Sequence, residues 1–196
     1  LYAQPADLSN RCFAEMRRAT QTGTGSCFGG PSANSIIVGV DDFSADFADD
    51  IVYRDAVSGV AYVGSQAISG APTLPPNWKL SATGDFDHDG RADILWRNTT
   101  SQKLVIWTMN GSAKVGNIVP SPDQAVDPNW EVAGATDFNG DGATDLLWYN
   151  QTSGKIVMWF MDSSVVRITG QFTNPASVAN NNWRALAIGD YGRGAG

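Results

Sequence analysis

Two stretches of this chain carry oxygen-bearing side chains at a spacing that suits a hard metal cation. The first begins at Asp85 and reads Asp-Phe-Asp-His-Asp-Gly-Arg-Ala-Asp, and the second begins at Asp137 and reads Asp-Phe-Asn-Gly-Asp-Gly-Ala-Thr-Asp. If the first Asp is counted as position 1, side-chain oxygens fall at positions 1, 3, 5 and 9 of both stretches. Calcium is bound by carboxylate, amide and main-chain carbonyl oxygens. The spacing therefore predicts two calcium-binding loops, and it supplies no catalytic group.

The predicted ligands of each loop are four side chains and one main-chain carbonyl. In the first loop they are Asp85, Asp87, Asp89, the carbonyl of Arg91, and Asp93. In the second loop they are Asp137, Asn139, Asp141, the carbonyl of Ala143, and Asp145. Glycine stands at position 6 of both loops, where the chain must turn sharply around an ion. Carboxylates this close repel one another unless a cation lies among them. The alternative is an Asp- and Gly-rich turn between strands that binds no metal.

An earlier stretch is a worn copy of the same loop. Its oxygens come from Asp42, Ser44, Asp46, the carbonyl of Ala48, and Asp50. Phe47 replaces the glycine at position 6, and a bulky residue held there at positive φ is strained. We expect this third loop to bind calcium more weakly, if it binds at all. A fourth copy, which starts at Asp190, lacks the later carboxylates and is expected to bind no ion.

The loops recur because they belong to a longer repeat. Trp78, Trp130 and Trp183 open similar segments at spacings of 52 and 53 residues. Self-similarity at this period is typical of a propeller or another repeat array. The repeat region, 36–196, divides into units at 36–77, 78–129 and 130–182, followed by a partial unit at 183–196.

Within one unit the pattern is that of β-strands. Short apolar stretches at 94–97, 104–109 and 115–119 are separated by turn-forming residues, and a further strand starts at Trp78. About four strands per unit is the content of one propeller blade. The predicted fold class is therefore all-β, built from propeller-type blades. Apolar residues on both faces around Trp107 suit a strand between neighbouring blades, so we interpret the recurring tryptophans as inter-blade packing rather than a ligand-stacking surface.

The first 35 residues lie outside the repeat. A helix is predicted over 7–19, where apolar residues share one face. Cys12 and Cys27 are the two cysteines of the chain, and we favour a disulfide between them over two free thiols. Such a bridge would hold the segment as a cap over an exposed blade edge.

The charge of the chain follows from the loops. The net charge is −7, and ten of the 20 acidic residues are predicted ligands of the three loops. This distribution argues against a nucleic-acid partner, which requires a basic surface. The sequence contains no apolar run long enough to cross a membrane, so no membrane span is expected.

The loop motif resembles the FG-GAP/VCBS repeats. The resemblance rests on Asp-x-Asp-x-Asp-Gly-x-x-Asp, with an aromatic residue after the first Asp and Ile/Leu-Leu-Trp after the last, and it covers roughly residues 36–192. Such repeats occur in integrin α-subunit propellers, in fungal lectins and in secreted bacterial proteins. The resemblance implies blades of a calcium-stabilised propeller that binds proteins or glycans outside the cell. Three blades and a strand are too few for a closed ring, so the chain is a fragment, an open array, or a protomer of a ring.

Catalysis has little support in the sequence. His88 is the only histidine, and it lies at loop position 4 without a zinc-binding context.

The sequence therefore predicts a secreted, non-catalytic recognition module for a glycan or extracellular protein, with two structural calcium ions and a third if the worn loop binds. The alternative is an accessory, scaffold or targeting domain of a larger secreted enzyme or adhesin. Association through the strand at 183–189 would make the chain a homo-oligomer. Three Asn sequons, at Asn98, Asn110 and Asn150, fall in predicted turns.

Overall fold

The computed structural model describes residues 34–125 and 127–177, and their regular structure consists of three antiparallel sheets of four strands each. The first sheet contains β1 (Ser35–Asp41), β2 (Asp50–Asp55), β3 (Ala61–Val63) and β4 (Gln66–Ala67). The second contains β5 (Trp78–Gly84), β6 (Asp93–Asn98), β7 (Leu104–Asn110) and β8 (Ala113–Ile118). The third contains β9 (Trp130–Thr136), β10 (Asp145–Asn150), β11 (Lys155–Met161) and β12 (Arg167–Ser177).

The strands of each sheet lie side by side in chain order, and the all-β prediction is confirmed for the described residues. The predicted helix at 7–19, the Cys12–Cys27 bridge and the fourth copy of the loop lie outside them. The described part of the chain contains no helix long and apolar enough to span a lipid bilayer.

The second strand of the central sheet is covered on both faces. All six residues of β6 are buried, and β7 is buried along most of its length. Such burial requires a neighbouring layer on each side, and the first and third sheets supply it. The first strands of successive sheets also contact one another, β1 with β5 and β5 with β9. This is the fan-like arrangement of propeller blades.

Two apolar cores separate the three sheets. The core between the first and second sheets contains Phe43, Val52, Ala61, Val63, Leu80, Ala92, Ile94, Trp96, Trp107 and Met109. The core between the second and third contains Ala82, Phe86, Leu95, Leu104, Ile106, Ala125, Leu146, Trp148, Trp159, Met161 and Val165. Each core holds one tilted tryptophan pair, with ring centroids 4.8 Å apart for Trp96 and Trp107 and 4.7 Å apart for Trp148 and Trp159. The prediction that these tryptophans pack between blades is confirmed.

An arginine from one sheet reaches over a tryptophan of the next. The guanidinium carbon of Arg54 lies 5.5 Å from the ring centroid of Trp96, and that of Arg97 lies 6.0 Å from the ring centroid of Trp148. The two arginines occupy the same position of their repeats, and this position is Tyr149 in the third sheet. A cation above an indole face is attracted by the ring quadrupole. The pairs therefore tie successive sheets together, a role that the sequence analysis did not predict.

Two of the sequon asparagines have buried structural roles in the turns that follow β6 and β10. The side-chain oxygen of Asn98 accepts hydrogen bonds from the amides of Thr100 and Ser101, both at 2.9 Å. Asn150 repeats this pattern, and its amide nitrogen donates to Asp127 at 3.0 Å. Attachment of a glycan at Asn150 would replace one hydrogen of this buried amide nitrogen with a sugar, whereas Asn110 is exposed.

Candidate metal loops

The three acidic loops occupy one equivalent place in the three sheets. Each connects the first strand of its sheet to the second, so positions 1 to 8 form the loop and position 9 is the first residue of the following strand. The residues at position 9 are Asp50, Asp93 and Asp145. The repeat therefore presents one acidic loop per sheet, at the same end of each first strand.

The position 1 carboxylate organises every loop through the same hydrogen bonds. It accepts the backbone amides of positions 5 and 6, and the side chain at position 5 accepts the amide of position 7. The bonds to position 1 are Asp46 and Phe47 to Asp42 (3.3 and 2.8 Å), Asp89 and Gly90 to Asp85 (3.1 and 3.0 Å), and Asp141 and Gly142 to Asp137 (3.3 and 2.9 Å). The bonds to position 5 are Ala48 to Asp46 (2.9 Å), Arg91 to Asp89 (2.9 Å) and Ala143 to Asp141 (2.8 Å). The worn loop thus keeps the backbone shape of the other two.

The backbone turns through the left-handed region twice in each loop. Position 6 has φ of 65° at Phe47, 82° at Gly90 and 90° at Gly142. Position 4 has φ of 56° at Ala45, 62° at His88 and 82° at Gly140. The predicted strain at Phe47 is therefore present, and the side chain is 99 % exposed. The second turn, at position 4, was missed because two of its three residues are not glycine.

The central loop brings three carboxylates together. Ligand oxygens of Asp85, Asp87 and Asp89 all lie within 4.8 Å of one another, with Asp85 half-buried and the other two exposed. Burial and the neighbouring charge of Asp89 raise the pKa of Asp87. A convergent set of hard oxygens is the donor chemistry that calcium prefers. These residues fit the predicted cation.

The loop of the third sheet offers a related donor set with one carboxylate fewer. Asn139 stands at position 3, and its amide nitrogen donates to Asp141 at 2.8 Å. Burial opposes ionisation of Asp137, but hydrogen bonds from Gly142, Gly140, Asp141 and Asn139 outweigh it and lower the pKa of this carboxyl. An ionised carboxylate held by backbone amides is suited to a cation.

The position 9 carboxylates have a structural role that the sequence analysis did not predict. Asp93 is fully buried; one oxygen accepts the amides of Phe86 and Asp87 (3.0 and 3.3 Å), and the other accepts the amide of Met109 (2.9 Å). Asp93 therefore ties the start of the loop to the third strand of its sheet. Burial raises the pKa of Asp93 to about 7.

Asp145 repeats this arrangement in the third sheet. It is fully buried and accepts the amides of Phe138 at 3.0 Å and Met161 at 2.9 Å. Burial also raises the pKa of Asp145 and, in the worn loop, of Asp50. The convergent group at Asp85, Asp87 and Asp89 does not include Asp93. The assignment of Asp93 and Asp145 as calcium ligands stays a prediction, as does that of the carbonyls of Arg91, Ala143 and Ala48.

Four-stranded antiparallel sheets in a row, each with an acidic loop between its first two strands, define an all-β repeat protein of the propeller-blade class. A family model described as FG-GAP-like repeat matches residues 85–148, from the central loop to the second strand of the third sheet. Residues 85–148 therefore match an FG-GAP-like repeat, and the resemblance seen in the sequence is confirmed over these residues. Comparison with curated proteins and with solved structures gave no match.

Replacement of Phe47 by glycine is expected to stabilise the protein. Glycine adopts positive φ without a side-chain clash, whereas a strained residue there costs about 1–3 kcal/mol. Part of the stability gained by relieving this strain is lost again, because glycine adds conformational entropy to the unfolded chain. Phe47 has φ of 65° and is 99 % exposed, so its side chain contributes little packing in exchange. We expect the free energy of unfolding in urea to rise by about 0.5–1 kcal/mol. Ala48→Gly is the control, because position 7 does not need positive φ, and it should not stabilise; equal effects of the two changes would contradict the strain argument.

Proposed function

We propose that this chain is a calcium-stabilised, non-catalytic recognition module that works outside the cell and binds a glycan or a protein surface. The observation that carries the proposal is the acidic loop that recurs with one hydrogen-bond pattern in three successive sheets, with Asp85, Asp87 and Asp89 converging in the central loop. FG-GAP repeats are consistent with a propeller-type recognition module.

The residues that would hold calcium are those at positions 1, 3 and 5 of each loop, together with position 9 and the carbonyl at position 7. A bound calcium ion would offset the repulsion among the carboxylates and cross-link the loop backbone. Asp93 connects the central loop to Met109 in β7 through a buried hydrogen bond of 2.9 Å. Rigidity gained at the loop would therefore reach the third strand of the sheet. The loops act as clamps for the blades, and the recognition surface is formed elsewhere.

We propose that the protein is non-catalytic, and the reason lies in the chemistry of the loops. His88 is exposed at position 4 of an acidic loop, and the loop carboxylates accept backbone amides rather than contacting a nucleophile. The partner is proposed to be a glycan or an extracellular protein, because ten of the 20 acidic residues are predicted ligands of these loops and a phosphate backbone would be repelled.

Calcium is expected to raise the melting temperature of the purified protein. Binding that favours the native state adds about 2.7 kcal/mol per site at a ligand concentration 100 times Kd, and one kcal/mol shifts the melting temperature of a domain of this size by roughly 2–4 °C. Differential scanning calorimetry with calcium and with excess chelator should therefore differ by about 5–10 °C for a single occupied site. An unchanged melting temperature would show that the loops bind no calcium.

The variant Asp87→Ala tests which loop is responsible. Asp87 is exposed, so its removal should abolish one calcium site in titration calorimetry and leave the calcium-free melting temperature nearly unchanged. Asp123→Ala is the matched control, since it removes one carboxylate outside the loops whose side chain forms an exposed ion pair with Lys103 at 3.7 Å. Recognition is tested by incubating the calcium-loaded protein with immobilised glycans and extracellular matrix proteins. Retention that is lost with chelator supports the proposal, and no retention on either surface rejects the recognition role.

A further inference from the structure

Trp96 lies in the core between the first and second sheets with an unpaired hydrogen-bond donor. The residue is fully buried, and its indole nitrogen Nε1 has no hydrogen-bond partner within the described part of the chain. The indole N–H can only donate, and buried tryptophans usually place it against an acceptor. Trp148, at the same position of the next repeat, is also buried with an unpaired Nε1. The unpaired donor is therefore a property of the repeat.

A small cavity, partly open to solvent, lies beside Trp96 between the same two sheets. Its volume is about 30 Å³, and its walls include Trp96, Trp107, Gly59, Ala61, Ala71 and Leu74. A cavity needs roughly 10–15 Å³ to admit one water molecule. The cavity is thus large enough for a water molecule.

The cavity wall also supplies hydrogen-bond acceptors. The carbonyl oxygens of Gly59 and Leu74 accept hydrogen bonds from Arg54, at 3.0 Å for Gly59. Each carbonyl oxygen has a second lone pair that can accept another donor. An ordered water needs two to four polar partners, and Trp96, Gly59 and Leu74, which carry one N–H donor and two carbonyl acceptors, all line this cavity.

We propose that the cavity is a binding site for one ordered water molecule, which accepts the hydrogen bond of Trp96 Nε1 and donates to the carbonyl oxygens of Gly59 and Leu74. The water bridges the first sheet and its linker to the second sheet. The water satisfies the hydrogen-bond donor of Trp96, which lies fully buried beneath Arg54. This role does not require calcium.

Nuclear magnetic resonance with selectively ¹⁵N-labelled tryptophan tests the proposal on the calcium-loaded protein. We expect the indole proton of Trp96 to show a direct Overhauser effect to a long-lived water molecule and slow exchange with solvent. Trp96→Phe should abolish this cross-peak. Trp107→Phe is the matched control, because Trp107 lines the same cavity and its indole nitrogen is not one of the unpaired buried donors; the Trp96 signal should survive in that variant.

A crystal structure of the unaltered protein keeps the test independent of whether either variant folds. Electron density for an isolated oxygen within about 3 Å of Trp96 Nε1 would support the proposal. An empty cavity, a protein acceptor at that nitrogen, or a Trp96 indole proton without any water contact would overturn it. Loss of calcium binding would leave the water signal unaffected, so failure of the proposed function and failure of this inference are distinguishable.

Discussion

Replacement of Asp93 by alanine is expected to lower the free energy of unfolding by about 3–5 kcal/mol. The change removes a fully buried carboxylate and leaves the amides of Phe86, Asp87 and Met109 without their acceptor. Each buried donor left unsatisfied costs about 1–3 kcal/mol. Urea denaturation in calcium-free buffer measures this cost without any contribution from metal binding.

Asp89→Ala in the same loop is the control for the Asp93 variant. Asp89 is exposed, accepts the amide of Arg91 at 2.9 Å and forms an exposed ion pair with the Arg91 side chain at 3.3 Å. Because such surface interactions contribute little, its loss should cost less than about 1 kcal/mol in calcium-free buffer. Equal costs for the two variants would show that Asp93 has no special structural role and would leave it a calcium ligand only.

The repeat and its loops could be predicted from sequence because their signals are local. The four apolar stretches per unit and the glycines at position 6 lie within short windows, and the 52-residue period follows from aligning these windows along the chain. The positive φ at Phe47 followed from alignment of the worn loop with the other two, and the structure has it at 65°. These features need no knowledge of which strands meet.

The role of Asp93 could not be predicted because it depends on distant strands. Its partner Met109 lies 16 residues further along the chain, and only the pairing of β6 with β7 brings the two together. The contact between Arg54 and Trp96 has the same origin, since it joins different sheets. Alignment of the second strands shows Arg54, Arg97 and Tyr149 at one position, but a charged residue in a strand predicts no particular partner.

The worn loop separates loop shape from ligand content. Asp42 accepts the amides of Asp46 and Phe47 as its counterparts do, although Phe47 replaces glycine and Ser44 replaces a carboxylate or amide. The shape therefore depends on the position 1 carboxylate and a few backbone amides, and not on glycine at position 6. A calcium ion bound by such a loop would cross-link backbone segments that these hydrogen bonds also connect.

The second large effect is expected for Trp148→Ala, because this change opens the core between the second and third sheets. Trp148 is 1 % exposed, packs on Trp159 with ring centroids 4.7 Å apart, and lies beneath Arg97. Replacement of a buried tryptophan by alanine costs about 3–5 kcal/mol. Val115→Ala is the control, since Val115 is 62 % exposed on β8 and should change stability by less than about 0.5 kcal/mol.

The loss at Trp148 should also change how the protein unfolds. In a repeat protein each unit contacts only its neighbours, so cooperativity depends on the interfaces between units. Once the core between the second and third sheets is weakened, the third sheet should unfold before the other two. Transitions followed by tryptophan fluorescence and by far-ultraviolet circular dichroism, coincident in the unaltered protein, should then separate. The alternative outcome is that Trp148→Ala loses the expected stability but its two transitions still coincide. The three sheets would then remain one cooperative unit, held together by the contacts between their first strands.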